Sequence, residues 1–86
     1  MNFDITAVRQ LADYDLELTF RDGTRGTVSF RSTFFTGVFS RLGDPRVFAD
    51  HHLEHGAIAW GADLDLAPDA LHERLRSAPD HRIVLS

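Results

Sequence analysis

No cysteine occurs among the 86 residues, which excludes a disulfide framework and any thiolate metal site. No apolar run approaches the roughly 18–20 residues that span a bilayer. The first residues lack the basic-then-apolar pattern of a secretory signal, and the resulting expectation is a cytoplasmic protein. Ile5 to Leu11 contains no glycine, so nothing there cradles a phosphate after the first strand, as a nucleotidyltransferase requires. Ser29, Ser32, Ser40 and Ser77 lie outside any Gly-x-Ser-x-Gly elbow, the setting that exposes a serine nucleophile. No catalytic motif and no cofactor-binding motif emerge. The reading is a non-enzymatic chain without a cofactor.

Arginine is missing from residues 47–73, and this absence carries more information than the net charge of −4. Residues 1–43 balance five acidic against five basic side chains, whereas residues 44–86 hold eight against four. Asp50, Glu54, Asp63, Asp65, Asp69 and Glu73 fall within 50–73 beside four histidines. Folded together, such groups repel phosphate and attract a basic partner. All nine basic residues are arginines dispersed among acids, which argues against direct nucleic-acid binding. Arg21, Arg25 and Arg31 are placed to line one outer sheet face, a smaller surface for an acidic partner.

What the chain does have is strand and turn chemistry. Phe3 to Val8 alternates imperfectly, predicting a strand with a bulge near Ala7-Val8. Asp13-Tyr14-Asp15 reads as a tight turn. Leu16, Leu18 and Phe20 alternate with polar neighbours, and Asp22-Gly23 supplies the positive φ angles of a two-residue hairpin. The return strand puts Gly26, Val28 and Phe30 on one face. Ser32 and Thr33 are positioned to cap a short helical turn, and Val38, Phe39 and Leu42 share a helical stripe. Asp44-Pro45 opens a short helix, His52 to Trp60 forms a second hairpin turning at His55-Gly56, and Pro68-Asp69 opens the last helix, with Leu71 and Leu75 on its buried side. The expected fold is α+β: an antiparallel sheet, made of a three-stranded meander plus a second hairpin, with short helices packed on one face. Residues 1–78 form the single domain. Residues 79–86 are a C-terminal tail open to two readings, an added edge strand or a loose end, and Ile83-Val84-Leu85 is suited to pairing sheet edges in a homodimer.

One ordered series is specific: Gly37-Val38-Phe39, Leu42-x-Asp44-Pro45, Phe48, Trp60, then Asp65-Leu66-x-Pro68-Asp69-x-Leu71. It resembles a small bacterial family known as domain-of-unknown-function family 2442, over about residues 3–76. The resemblance implies an α+β domain and brings no established activity. Some relatives look like halves of a two-gene pair in a toxin–antitoxin style arrangement, and others precede a helix-turn-helix module. Both contexts imply binding or regulation. A molybdopterin-guanine dinucleotide biosynthesis label attached to some relatives finds no motif in this chain. Ser29, Asp63 and His51 depart from the family's usual aspartate, glycine and apolar residue.

These features define the candidate sites. A protein partner, small and basic, is expected to meet Asp50, Glu54, Asp63, Asp65 and the aromatic Phe35, which adjacent Phe34 leaves partly exposed. His51 and His55, with Glu54 between them, are the candidate metal ligands of an alternative reading, a small-molecule or metal-binding domain. His52 occupies the place where a zincin helix needs glutamate. Asp65 to Asp69 reads as the approach to a helix N-terminus, where carboxylates satisfy free N–H groups. Trp60 is expected in the core. No membrane contact is expected.

Overall fold

A computed structural model describes residues 3–86; the first two residues of the expected 1–78 domain lie outside the described residues. Seven strands and two helices follow in order: β1 (Ile5–Ala12), β2 (Asp15–Phe20), β3 (Arg25–Phe30), α1 (Pro45–Ala49), β4 (His52–Glu54), β5 (Ala57–Trp60), β6 (Leu64–Leu66), α2 (Pro68–Ser77) and β7 (Arg82–Leu85). Two 3-10 segments, Ser32–Phe34 and Gly37–Gly43, link β3 to α1. The chain is an α+β domain with an antiparallel meander, a second sheet and short helices.

Period-two alternation builds the meander. Leu16 opposes Val28 and Leu18 opposes Gly26 across β2 and β3, and Leu16, Leu18, Phe20, Val28 and Phe30 are all buried. Strand β1 runs longer than its alternation suggests, to Ala12, because register shifts at Ile5/Ala7 and at Gln10/Ala12 break the pattern. The bulge therefore sits at Thr6, one residue before the expected place. The hairpin loop also differs. Phe20 N–H donates to Thr24 O at 2.8 Å and Gly23 N–H to Phe20 O at 2.9 Å, so three residues turn the chain. Of these only Gly23 has positive φ, +92°, as in a type I turn closed by a left-handed glycine.

Strand β7 pairs parallel to β3, with Val28 opposite Ile83 and Phe30 opposite Leu85, giving the sheet order β1-β2-β3-β7. Groups of other elements occupy part of its outer edge. Arg74 Nη2 donates to Val84 O at 3.4 Å, and Asp80 Oδ1 accepts from Arg82 N–H at 3.2 Å. Side chains on an edge strand's free groups discourage pairing with another chain.

The second sheet, β4-β5-β6, is antiparallel. His55 and Gly56 both take positive φ, 52° and 81°, at the expected hairpin turn. Strand β6 has no counterpart in the sequence reading, because three residues are too short for alternation to register. It also corrects the capping assignment: Asp65 lies within β6, and α2 starts at an N-cap Ala67 that makes no side-chain hydrogen bond. Proline at the first helical position removes one donor that would otherwise need a cap. Asp44 does cap α1, its Oδ1 accepting Arg46 N–H at 2.9 Å. Ser32 and Thr33 make no cap bond, Arg31 taking the N-cap place. Val38 turns outward at 75% exposure while Leu42 is buried, because the segment winds as a 3-10 helix with three residues per turn.

The core is one cluster to which both sheets, Phe48 of α1 and Leu71 and Leu75 of α2 contribute. Phe30 of β3, Phe48 of α1 and Trp60 of β5 form a ring triangle, with centroids 5.0, 5.6 and 6.4 Å apart. Trp60 Nε1–H donates to Phe48 O at 2.8 Å in the buried interior. Trp60→Phe keeps most of the apolar area but orphans that carbonyl, a loss of about 1–3 kcal/mol. Chemical denaturation should show it as a lower midpoint with unchanged slope; an unshifted midpoint contradicts the bond's importance.

Candidate functional site

The strand ladder of β4-β5-β6 decides which charged groups share a surface. His52 opposes Ala59, which opposes Asp65, while Leu53, Ile58 and Leu66 form the adjacent row. Ile58 and Trp60 enter the core, so Ala57 and Ala59 point to the other face, with His52, Glu54 and Asp65. Ala59, flanked across the ladder by His52 and Asp65, is only 2% exposed. The result is a small-residue floor bordered by an imidazole and two carboxylates, all three exposed. His52 Nε2 lies 3.6 Å from Glu54 Oε2. Residues 52–66 contain no arginine, so none of the sheet's own side chains carries a permanent positive charge.

The five candidate partner-binding residues are not equivalent. Glu54 and Asp65 share the face just described. Asp50 is exposed at the C-terminal end of α1, and among the described residues no ion pair reaches Asp50 or Asp65. Asp63 is already engaged. Arg41 Nη2 donates to its Oδ1 at 2.8 Å and to Trp60 O at 3.2 Å, and the guanidinium holds the Asp63 carboxyl below its usual range. Phe35 is half-buried, its ring 5.0 Å from that of Tyr14 and 6.2 Å from that of Phe48.

The two candidate metal ligands bracket β4. His51 precedes the strand and is half-buried; its Nδ1 is sealed without a hydrogen-bond partner. Burial, only partly offset by Asp50, pushes its pKa down, so a neutral imidazole is favoured. His55 is exposed in the hairpin turn. Among the described residues no group of three or more histidine, aspartate or glutamate side chains is arranged to hold a metal ion. An open depression over α1 is lined by Asp44, Arg46, Val47, Ala49 and Asp50, where Asp44 and Arg46 face one another at 3.6 Å.

A polar cluster elsewhere escaped the sequence reading. His72 of α2 is 4% exposed, the one buried titratable side chain among the described residues. Its Nε2 lies 2.7 Å from Asp22 Oδ2 and 3.3 Å from Thr24 Oγ1, and Asp22 Oδ1 accepts Thr24 N–H at 2.9 Å. Thr24 and His72 together hold the Asp22 pKa down to about 2. Its signal was available in spacing: His72 precedes Leu75 by three and follows Leu71 by one, on the apolar stripe of the helix. Carboxylate and hydroxyl meet the same ring nitrogen. A nucleophile relay needs them on opposite nitrogens, so this cluster joins α2 to the β2–β3 turn rather than activating Thr24.

Because the folded pKa of Asp22 lies below its ordinary 3.8, its contribution to stability is complete above about pH 4 and is lost as pH falls toward 2. Wild type and Asp22→Asn should differ in urea midpoint at pH 5 and converge between pH 4 and pH 2. Parallel curves over that interval would contradict the assignment.

Among the described residues, no helix is long and apolar enough to cross a membrane. Comparison with known proteins identifies one family model, described as "Protein of unknown function (DUF2442)", which matches residues 5–77. Neither a curated protein nor a solved structure matches the chain. The matched span runs from the start of β1 to the end of α2, and thus takes in both the meander and the acidic three-stranded sheet. The chain belongs to the DUF2442 family of proteins of unknown function.

Proposed function

We propose that this chain is a non-enzymatic protein-binding or regulatory domain, the antitoxin-like half of a two-gene pair, whose β4-β6 sheet receives a small basic protein. The observation that carries the reading is the ladder register. It sets Glu54 and Asp65 on one arginine-free face around Ala57 and Ala59. The two alanines are buried beneath their neighbours, and the exposed carboxylates meet lysine or arginine of the partner. Rim charges of this kind act mainly on association rate and its salt dependence.

The test is affinity purification of the full chain from its own host at moderate salt. A single small basic protein at near-equal stoichiometry, lost with Glu54→Arg/Asp65→Arg, is the expected result. Asp63→Arg also breaks the internal Arg41 contact, so it reports on folding as well as binding and serves only as a comparison. A companion that survives the double charge reversal, or no companion at all, removes the proposal.

The alternative of a small-molecule or metal-binding domain draws on one observation, the unpartnered Nδ1 of a histidine whose neutral form is favoured. Under that alternative, zinc at micromolar concentration raises the Tm of wild type but not of His51→Ala/His55→Ala. Equal behaviour of the two proteins dismisses it.

A further inference from the structure

Of Arg21, Arg25 and Arg31, expected on one outer sheet face, only Arg25 lies within a strand. Arg21 follows β2 and pairs with Asp4 at 3.4 Å, and Arg31 follows β3 at the N-cap of a 3-10 segment. The ladder register gives Arg25 a different companion. Gly26, Val28 and Phe30 of β3 and Ile83 and Leu85 of β7 are buried, so alternation turns Arg25, Thr27, Ser29, Arg82 and Val84 to the opposite face. Thr27 is paired with Arg82 and Ser29 with Val84. Arg25, two residues before Thr27, is therefore a diagonal neighbour of Arg82. Only the parallel pairing of β7 with β3 brings these two arginines together.

The rest of the fold leaves this face open. Leu75 of α2 lies against Gly26, on the buried side of β3, and Leu16, Leu18 and Val28 share one core cluster with Phe48, Trp60 and Leu71. The helices and the small sheet thus cover the inner face of the large one, while Arg25, Arg82 and Val84 stay exposed. Arg9 also belongs to the outer face and is held 3.7 Å from Glu17. Among the described residues, no ion pair and no hydrogen bond reaches the guanidinium of Arg25 or of Arg82.

Neighbouring cations without internal partners attract carboxylates, and a guanidinium binds them in a planar fork. Glu17 and Asp15 stand on the same face, opposite Thr27 and Ser29. They interrupt the positive field and so disfavour a continuous polyanion such as nucleic acid. The spaced carboxylates of a polypeptide escape that repulsion, and Val84, 43% exposed, offers an apolar contact beside them.

We propose that the outer face of the β1-β2-β3-β7 sheet is a second docking surface, which takes an acidic protein segment through carboxylate contacts to Arg25 and Arg82. It is separate from the β4-β6 sheet and opposite to it in charge preference, so the two surfaces select different partners.

Fluorescence anisotropy on the full chain at low ionic strength tests this, with a labelled peptide of alternating glutamate and serine as the probe. The peptide should bind one-to-one, and Arg25→Glu/Arg82→Glu should weaken it about tenfold or more. Arg46→Glu/Arg76→Glu makes the same change in net charge on exposed helical sites and should leave affinity within about twofold of wild type. Amide chemical-shift changes on peptide addition to wild type should centre on Thr27, Ser29, Arg82 and Val84 and spare Ala57 and Ala59. Absence of binding overturns the proposal, as does equal weakening by the two double variants or a footprint elsewhere. Tighter binding of single-stranded DNA carrying the same number of charges also overturns it, in favour of a phosphate surface. The wild-type footprint decides the matter even if Arg25→Glu/Arg82→Glu fails to fold.

Discussion

The contact among Phe30, Phe48 and Trp60 is the constraint on which the rest of the molecule depends. Each ring belongs to a different layer: β3 of the large sheet, α1, and the central strand of the small sheet. The four-stranded sheet and the three-stranded sheet each have an apolar face that needs something to cover it. The triangle supplies that cover for both at once. The indole N–H adds direction to the packing, because its bond to the Phe48 carbonyl fixes α1 relative to β5. Aromatic edge-to-face pairs add roughly 0.5–1.5 kcal/mol beyond their burial, a large share in a domain of this size.

Around the triangle, polar side chains tie down loops whose backbone would otherwise be loosely held. Tyr14 O–H donates to Gly43 O at 2.6 Å, fixing the end of the 3-10 segment against the β1–β2 turn. Arg41 grips Trp60 O and Asp63 at once, orienting the turn that leads into β6. These struts settle the geometry of the acidic sheet from outside it, so the exposed carboxylates Glu54 and Asp65 spend none of their hydrogen-bonding capacity on the fold's own turns. Both carboxylates at that face stay exposed, with His52 3.6 Å from Glu54.

Much of the fold was legible because its determinants are local. The alternation of Leu16, Leu18 and Phe20, the cap at Asp44, the turn at His55-Gly56 and the proline start of α2 each lie within a few residues of what they specify. The features that escaped are products of distance or brevity. Asp22 and His72 are fifty residues apart, and nothing in either neighbourhood names the other. Asp63 read as a free acid because Arg41, twenty-two residues earlier, was not visible as its partner. Asp65 was mistaken for a capping residue because β6 is three residues long. For the candidate site, the composition announced an acidic region, but only the register across β5 separates Glu54 and Asp65 from Asp50 and Asp63.

The parallel pairing of β7 with β3 has a kinetic meaning. Residues 27 and 82 must meet, closing a loop of more than fifty residues before any hydrogen bond of that ladder compensates the lost chain entropy. The β1–β2–β3 meander, by contrast, needs only short closures. Folding on these terms runs from the meander outward, and the seats of Ile83 and Leu85 beside Val28 and Phe30 stay open until late. In that interval β3 presents an unpaired apolar edge, and the partially folded chain is at risk of self-association.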